Sequence, residues 1–185
     1  MEKQQLRAFV KSQLRLMSAD GALRESEFIC AQILSNKRIA EARCVVAFWS
    51  MPDEVDIRPA VDVLLLRGKN VYLPRITDDC NMVLWRYEGR ESMRQEPLFG
   101  IWEPASDEIL LPSDFSMNDI CFVVPGLAFT KEGLRLGRGK GYYDRMLASY
   151  KGASKVGVCF NCQLMEDIPV GKFDVRMDEV LSFLF

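Results

Sequence analysis

Between Arg135 and Asp144 the chain reads Arg-Leu-Gly-Arg-Gly-Lys-Gly-Tyr-Tyr-Asp. Three alternating glycines, Gly137, Gly139 and Gly141, are interleaved with Arg138 and Lys140 and closed by two tyrosines and a carboxylate. Glycine lets a backbone come close to a ligand and take up positive φ, while guanidinium and ammonium groups form charge-assisted bonds to phosphate oxygens. Anion binding is the chemistry these residues suit, with a phosphorylated ligand as the first expectation. Gly-rich segments carrying Lys or Arg also serve as plain exposed turns, so the residues alone leave both readings open. Spacing excludes two named motifs. Gly139-Lys140 is followed by Gly141 where a P-loop needs Ser or Thr, and five residues rather than four separate Gly133 from Gly139. A dinucleotide fingerprint would put its last glycine at Tyr142.

The chain has no histidine, which removes the commonest general base and every Ser-His or Cys-His nucleophile, so any catalysis must run on other groups. Cys30, Cys44, Cys80, Cys121, Cys159 and Cys162 follow no small-scaffold disulfide pattern and are expected to be reduced packing residues. Cys159-Phe160-Asn161-Cys162 is formally a C-x-x-C, but no second pair or histidine completes a zinc site, and the run 155–160 reads as a buried strand. A formal charge of −2 gives no general electrostatic reason to bind nucleic acid. No apolar run approaches the roughly 20 residues needed to cross a bilayer, and the first residues are polar, so a cytoplasmic location with no membrane partner is expected.

Elements must position the cationic loop, and their periods can be read. Leu6, Val10, Leu14 and Met17 fall at helical spacing in 2–17, with Lys3, Arg7, Lys11 and Arg15 as a basic stripe. A second helix is expected from Ser18 to Leu34. Continuous apolar runs at 44–49 and 120–124 read as strands buried on both faces. A helix over 53–67 closing at Gly68, then a strand over 71–74, makes a β-α-β unit and hence a parallel pair. A strand is expected over 82–87, a long surface loop over 96–112, a hairpin over 129–136, a helix over 141–150, and final strands over 155–160 and 179–185. This alternation predicts one α/β domain spanning 1–185, a three-layer α/β/α, Rossmann-like arrangement around a mainly parallel, mixed sheet, with ligands at the carboxyl ends of the strands. The glycine loop follows the 120–124 strand and leads into a helix, where backbone N–H groups and the positive helix end favour phosphate.

These residues also carry a resemblance. Pro125-Gly126-Leu127-Ala128-Phe129 followed by Arg135-Leu136-Gly137-Arg138-Gly139-Lys140-Gly141-Tyr142-Tyr143-Asp144 resembles the signature of the 5-formyltetrahydrofolate cyclo-ligase family, and the likeness runs along nearly the whole chain. Lys3-x-x-Leu6-Arg7 is similar to the family's N-terminal segment, whose lysine and arginine reach nucleotide phosphates. Ser50-Met51-Pro52-Asp53-Glu54 resembles a segment whose glutamate, here Glu54, contacts folate beside Trp49. Phe99-Gly100-Ile101-Trp102-Glu103-Pro104 is similar to a loop whose first aromatic lies against folate; Trp102 stands where proline is usual. Asp174-x-x-x-Asp178-Glu179-Val180 resembles the C-terminal segment, and its second aspartate is assigned to magnesium.

The resemblance implies an ATP- and Mg2+-dependent ring closure of 5-formyltetrahydrofolate to 5,10-methenyltetrahydrofolate, with release of ADP and phosphate, by a monomer. Phosphorylation of the formyl oxygen makes it a leaving group, and N10 then attacks the activated carbon. Implied roles are Arg138 and Lys140 as catalytic cations. Lys3, Arg7, Arg135, Leu136, Gly137, Gly139, Gly141 and Tyr143 join them around ATP, although Tyr143 suits packing beneath the loop equally well. Trp49, Glu54, Phe99 and Tyr142 join Arg138 to Gly141 around the folate, and Asp144 and Asp178 hold the metal. A non-catalytic folate- or nucleotide-binding relative is the other reading.

Overall fold

The computed structural model describes residues 2–78, 81–96 and 100–184. In chain order the helices are α1 (Lys3–Leu16), α2 (Ala19–Ser35), α3 (Lys37–Glu41), α4 (Arg58–Leu66) and α5 (Tyr142–Ser149). The strands are β1 (Cys44–Val46), β2 (Asn70–Ile76), β3 (Met82–Arg86), β4 (Met93–Gln95), β5 (Trp102–Pro104), β6 (Ile120–Val124), β7 (Ala128–Phe129), β8 (Arg135–Leu136), β9 (Ser154–Val158) and β10 (Glu179–Leu181).

The two continuously apolar runs become the two strands at the centre. β1 pairs in parallel with β2 on one side and β6 on the other, and every residue of β1 and β6 is buried. The six-stranded order is β10-β9-β6-β1-β2-β3, parallel except for β3, which closes the edge antiparallel to β2. This is the mixed, mainly parallel α/β arrangement expected.

Alternation along β1 divides the core into two layers. Val45 faces Ile29 and Ile33 of α2, Val61 and Leu64 of α4, and Val71 and Val123 of the sheet. Cys44 and Val46 face Phe122 and Val124 with Met146, Leu147 and Tyr150, which α5 brings to the other side. Each fully buried aliphatic or aromatic side chain stabilises the fold by roughly 1.5–3 kcal/mol. A third, smaller cluster is built differently. Leu6 and Val10, one turn apart on α1, pack on Ala128, Leu136 and Ile168, so α1 covers the β7–β8 ribbon.

Several expectations shift in detail. The helix expected from Asp53 begins at Arg58, because Pro59 in its first turn has no N–H to bond a preceding turn. Residues 51–54 instead form a turn, in which Glu54 N–H donates to Met51 O at 3.0 Å and Met51 N–H to Glu54 Oε2 at 3.0 Å. The loop expected over 96–112 contains β5, which pairs antiparallel with β4. The hairpin over 129–136 is present as β7–β8, turning at Gly133, whose φ is +90°. Among the described residues no helix is long and apolar enough to cross a membrane.

Topology places the site. From β1 the chain steps to β2 on one side, whereas from β6 it steps to β9 on the other, so the sheet reverses direction between β1 and β6. The crevice outside the carboxyl ends of two such strands is where α/β sheets bind ligands. One lip of that crevice is the segment after β1 and the other is the glycine loop after β6. The loop's base is held by Phe129, wholly buried, whose ring lies where Gly126 and Gly157 have no side chain. A Cβ at Gly157 would stand 2.5 Å from Phe129 Cε1. Gly157→Ala should therefore destabilise the protein by about 1–3 kcal/mol through overpacking, read as a shift in the urea midpoint at unchanged slope; an unshifted midpoint would contradict the contact.

Candidate functional site

The loop is shaped by its glycines and clamped from the amino terminus. Gly139 and Gly141 take φ of +111° and +70°, the second capping the start of α5. Arg7 Nε donates to Gly137 O at 2.9 Å, and its guanidinium carbon lies 3.5 Å from where a Gly139 Cβ would be. Lys3, one turn earlier on α1, pairs with Asp174. Leu136 is buried against α1, so its side chain anchors the helix and only its backbone faces the loop.

The cations of the loop divide by direction. Arg135 turns inward: its side chain is 3% exposed, with Nη2 2.8 Å from Asp144 Oδ1, Nη1 donating to Pro125 O at 3.3 Å, and its plane over the Tyr143 ring at 5.6 Å. It is not displayed to an incoming phosphate; it fixes Asp144. Tyr143 accordingly packs beneath the loop, and burial raises its phenol's pKa. Arg138 turns across the crevice, giving Nη1 and Nη2 to Asp53 Oδ2 and Oδ1 at 3.0 and 2.7 Å and Nη2 to Glu54 Oε1 at 3.1 Å. Lys140 is exposed at the rim.

Glu54 also belongs to the second half of the crevice. A cavity of about 840 Å³ is lined by Trp49, Met51, Pro52, Glu54, Arg58, Ile101 and Trp102, among others. Trp49 is held at 5.6 Å from Tyr87 and lies beneath the guanidinium groups of Arg58 and Arg90. Phe99 lies outside the described residues; its neighbours Gly100 to Trp102 line the cavity, and Trp102, in place of proline, adds a half-exposed aromatic wall. Tyr142 points elsewhere, toward Asp78 O at 3.4 Å with Arg145 over its ring.

Burial acts differently on the two carboxylates facing Arg138. Glu54 is the more enclosed, and burial raises its pKa against the Met51 N–H and Arg138. Burial also pushes Asp53 upward, but the two bonds from Arg138 outweigh it and the net shift is down.

The two carboxylates expected at a metal are placed apart in the fold. Asp144 lies at the crevice, its Oδ1 also accepting the Val175 N–H at 3.1 Å. Asp178 does not join it. Its carboxylate accepts the Lys155 N–H at 2.7 Å, near the amino end of β9 and hence at the opposite edge of the sheet. The carboxylate brought to Asp144 is Asp174, which accepts from Lys3 and from Gly171 N–H at 2.7 Å and is shifted down because Lys3 and that N–H outweigh its burial. Asp174 and Asp178 are equivalent by composition; the segment between them runs from the crevice to the amino end of β9. Asp53 was likewise visible only as the neighbour of Glu54. A smaller cavity, about 170 Å³, opens beside Arg135 and Asp174 against Leu134, Ile168 and Val170. Asp144 and Asp174 offer hard oxygen donors with no His or Cys beside them, and among the described residues no cluster of three or more such groups forms. Two carboxylates with phosphate and water completing the shell suit Mg2+.

Known proteins carry the same architecture. The model of the 5-formyltetrahydrofolate cyclo-ligase family matches residues 1–182. The chain belongs to this family. Among the cyclo-ligase relatives, the mouse 5-formyltetrahydrofolate cyclo-ligase is 30% identical, over 97% of this chain and 92% of its own. The Escherichia coli K12 cyclo-ligase is 30% identical over 98% and 96%. A solved 5,10-methenyltetrahydrofolate synthetase from Aquifex aeolicus superposes with a TM-score of 0.81 at 32% identity, over 97% of this chain and 89% of that one. The family is one of enzymes, and in this chain the glycine-and-cation loop faces Glu54.

The raised Glu54 predicts a pH signature. Because the folded state holds this proton more tightly than the unfolded chain, the buried charge costs stability as pH rises from the ordinary glutamate value near 4.3 through the elevated one. Glu54→Gln should lack that downward slope, as measured by urea denaturation over a pH series; parallel profiles for the two proteins would contradict it.

Proposed function

We propose that the protein is an ATP- and Mg2+-dependent 5-formyltetrahydrofolate cyclo-ligase, forming 5,10-methenyltetrahydrofolate, ADP and phosphate. The observation that carries this reading is the Arg138 bridge: the cationic glycine loop and the large cavity share one wall at the switch of the sheet. A terminal phosphate on the loop and a folate formyl group in the cavity therefore meet beside the same guanidinium.

The formyl oxygen is the nucleophile toward the terminal phosphorus. It forms the new P–O bond as the bond to ADP breaks, which turns a poor leaving group into phosphate. N10 then attacks the formyl carbon, phosphate departs with the former formyl oxygen, and the ring closes. No covalent enzyme residue is required, which suits a chain without histidine. The protein's task is alignment and neutralisation of charge on the transferred oxygens. Arg138 and Lys140 face those oxygens, Arg7 holds the loop that presents them, and Lys3 lies where a phosphate can compete for it with Asp174. Arg135 acts through Asp144. Trp49, Glu54 and Trp102 line the folate side. Asp144 and Asp174 would hold Mg2+, which when bound neutralises phosphate charge.

A non-catalytic folate-binding relative would need the cavity but neither the cations of the loop nor the two acidic groups beside them, and all are present. The decisive assay follows methenyl absorbance with Mg2+ and 5-formyltetrahydrofolate, with and without ATP. ATP-dependent product supports the enzyme, whereas folate affinity without ADP release supports the relative. Lys140→Ala should lower turnover by about 10²-fold, as loss of one preorganised donor does. Asp144→Asn and Asp174→Asn should each raise the Mg2+ concentration for half-maximal rate, and Asp178→Asn should not. An effect of Asp178→Asn equal to that of Asp174→Asn would return the metal assignment to the C-terminal strand.

A further inference from the structure

Asp53 has no part in the chemistry above, yet it holds the one guanidinium that both halves of the crevice share. Two parallel N–H to carboxylate bonds, at 3.0 and 2.7 Å, fix the plane of the Arg138 head group, not merely its distance. Glu54 adds a single bond at 3.1 Å, which alone would let the guanidinium rotate. Asp53 sits inside the turn closed by Glu54 N–H to Met51 O at 3.0 Å, and Arg138 stands between Gly137 and Gly139, which have no side chains to support its own. Lys11, from α1, is a second cation facing the same carboxylate. Three donors of Arg138 are engaged by the two carboxylates, and a guanidinium carries five, so N–H groups remain for a ligand oxygen.

We propose that Asp53 is the positioning residue for Arg138, fixing its guanidinium across the crevice so that its remaining N–H groups are aimed at the reacting oxygens before the ligands arrive. The inference rests on the cyclo-ligase reading, because the reacting oxygens are those of that reaction. It predicts a loss in turnover and not in ground-state binding, since a misaimed donor fails chiefly where charge develops.

The test is steady-state kinetics of the full-length protein, Asp53→Asn, Asp53→Glu, Arg138→Lys and the double variant Asp53→Asn/Arg138→Lys, each with a melting curve. Asp53→Asn should lower kcat by about 10-fold or more while KM for ATP and for 5-formyltetrahydrofolate change by less than about 3-fold. Asp53→Glu, which keeps the fork on a longer stem, should recover part of the loss. Arg138→Lys keeps the charge but cannot donate two parallel bonds to Asp53, and adding Asp53→Asn to it should cost nothing further. Losses that multiply in the double variant, an Asp53→Asn kcat equal to wild type, or a loss confined to KM would each overturn the role, as would a lowered melting temperature accompanied by multiplicative losses. A wild-type protein with no ATP-dependent turnover rejects the cyclo-ligase reading and the role with it; active wild type with unimpaired Asp53→Asn rejects the role alone.

Discussion

A guanidinium that is 3% exposed cannot be left without a carboxylate, and the pairing of Arg135 with Asp144 is the constraint around which the crevice is assembled. Breaking one side of such a buried pair typically costs about 3–5 kcal/mol, because the remaining charge stays out of water. The pair also joins elements that no single strand or helix connects. Arg135 comes from β8 and bonds Pro125 O just after β6; Asp144 comes from the first turn of α5 and accepts the Val175 N–H of the segment leading to β10. Sheet, ribbon, helix and C-terminal segment are thereby fixed to one another at the point where the glycine loop must stay open. The glycines can be permissive because the residue just before them is not.

Much of this was legible in the sequence wherever a residue's environment is set by its neighbours along the chain. The continuous apolar runs at 44–49 and 120–124 read as strands covered on both faces, and β1 (Cys44–Val46) and β6 (Ile120–Val124) within them are the centre of the sheet. Leu6 and Val10 at helical spacing marked the buried side of α1. What was not legible depends on which edge or face a short element presents. β8 has two residues, so nothing in its pattern tells that Arg135 is sealed against Asp144 while Leu136 meets α1. Asp174 and Asp178 both precede β10, and only the course of the chain sends one to the crevice and the other to the amino end of β9. The start of α4 was misplaced because helical periodicity continues through Asp53 and Glu54, whereas Pro59 and the side-chain bond of Glu54 within its own turn make them the rigid lip of the crevice. The likeness to the cyclo-ligase family indicated the residue types of the site; which partner each one faces came from the fold.

The arrangement of charge explains how a chain of net charge −2 can gather several cations at one crevice without advertising them in its composition. Three of the cations at the crevice are met by carboxylates from other elements: Lys3 by Asp174, Arg135 by Asp144, and Arg138 by Asp53 and Glu54. The crevice is therefore a set of interlocked pairs and not an open cationic hole, and without ligand its charges are neutralised locally at little cost in self-repulsion. In the proposed reaction a polyphosphate would exchange partners, competing with Asp174 for Lys3 and with Glu54 for part of Arg138, and the released Asp174 would be a hard oxygen donor suited to a divalent cation. Because Arg135 is sealed in and Arg138 is forked on the stiff turn at Asp53, that exchange can proceed without loosening the loop. Ligand binding then rearranges charge within a frame that the buried pair has already set, and preorganisation of this kind lets electrostatic stabilisation act at the moment of reaction without first reordering the protein.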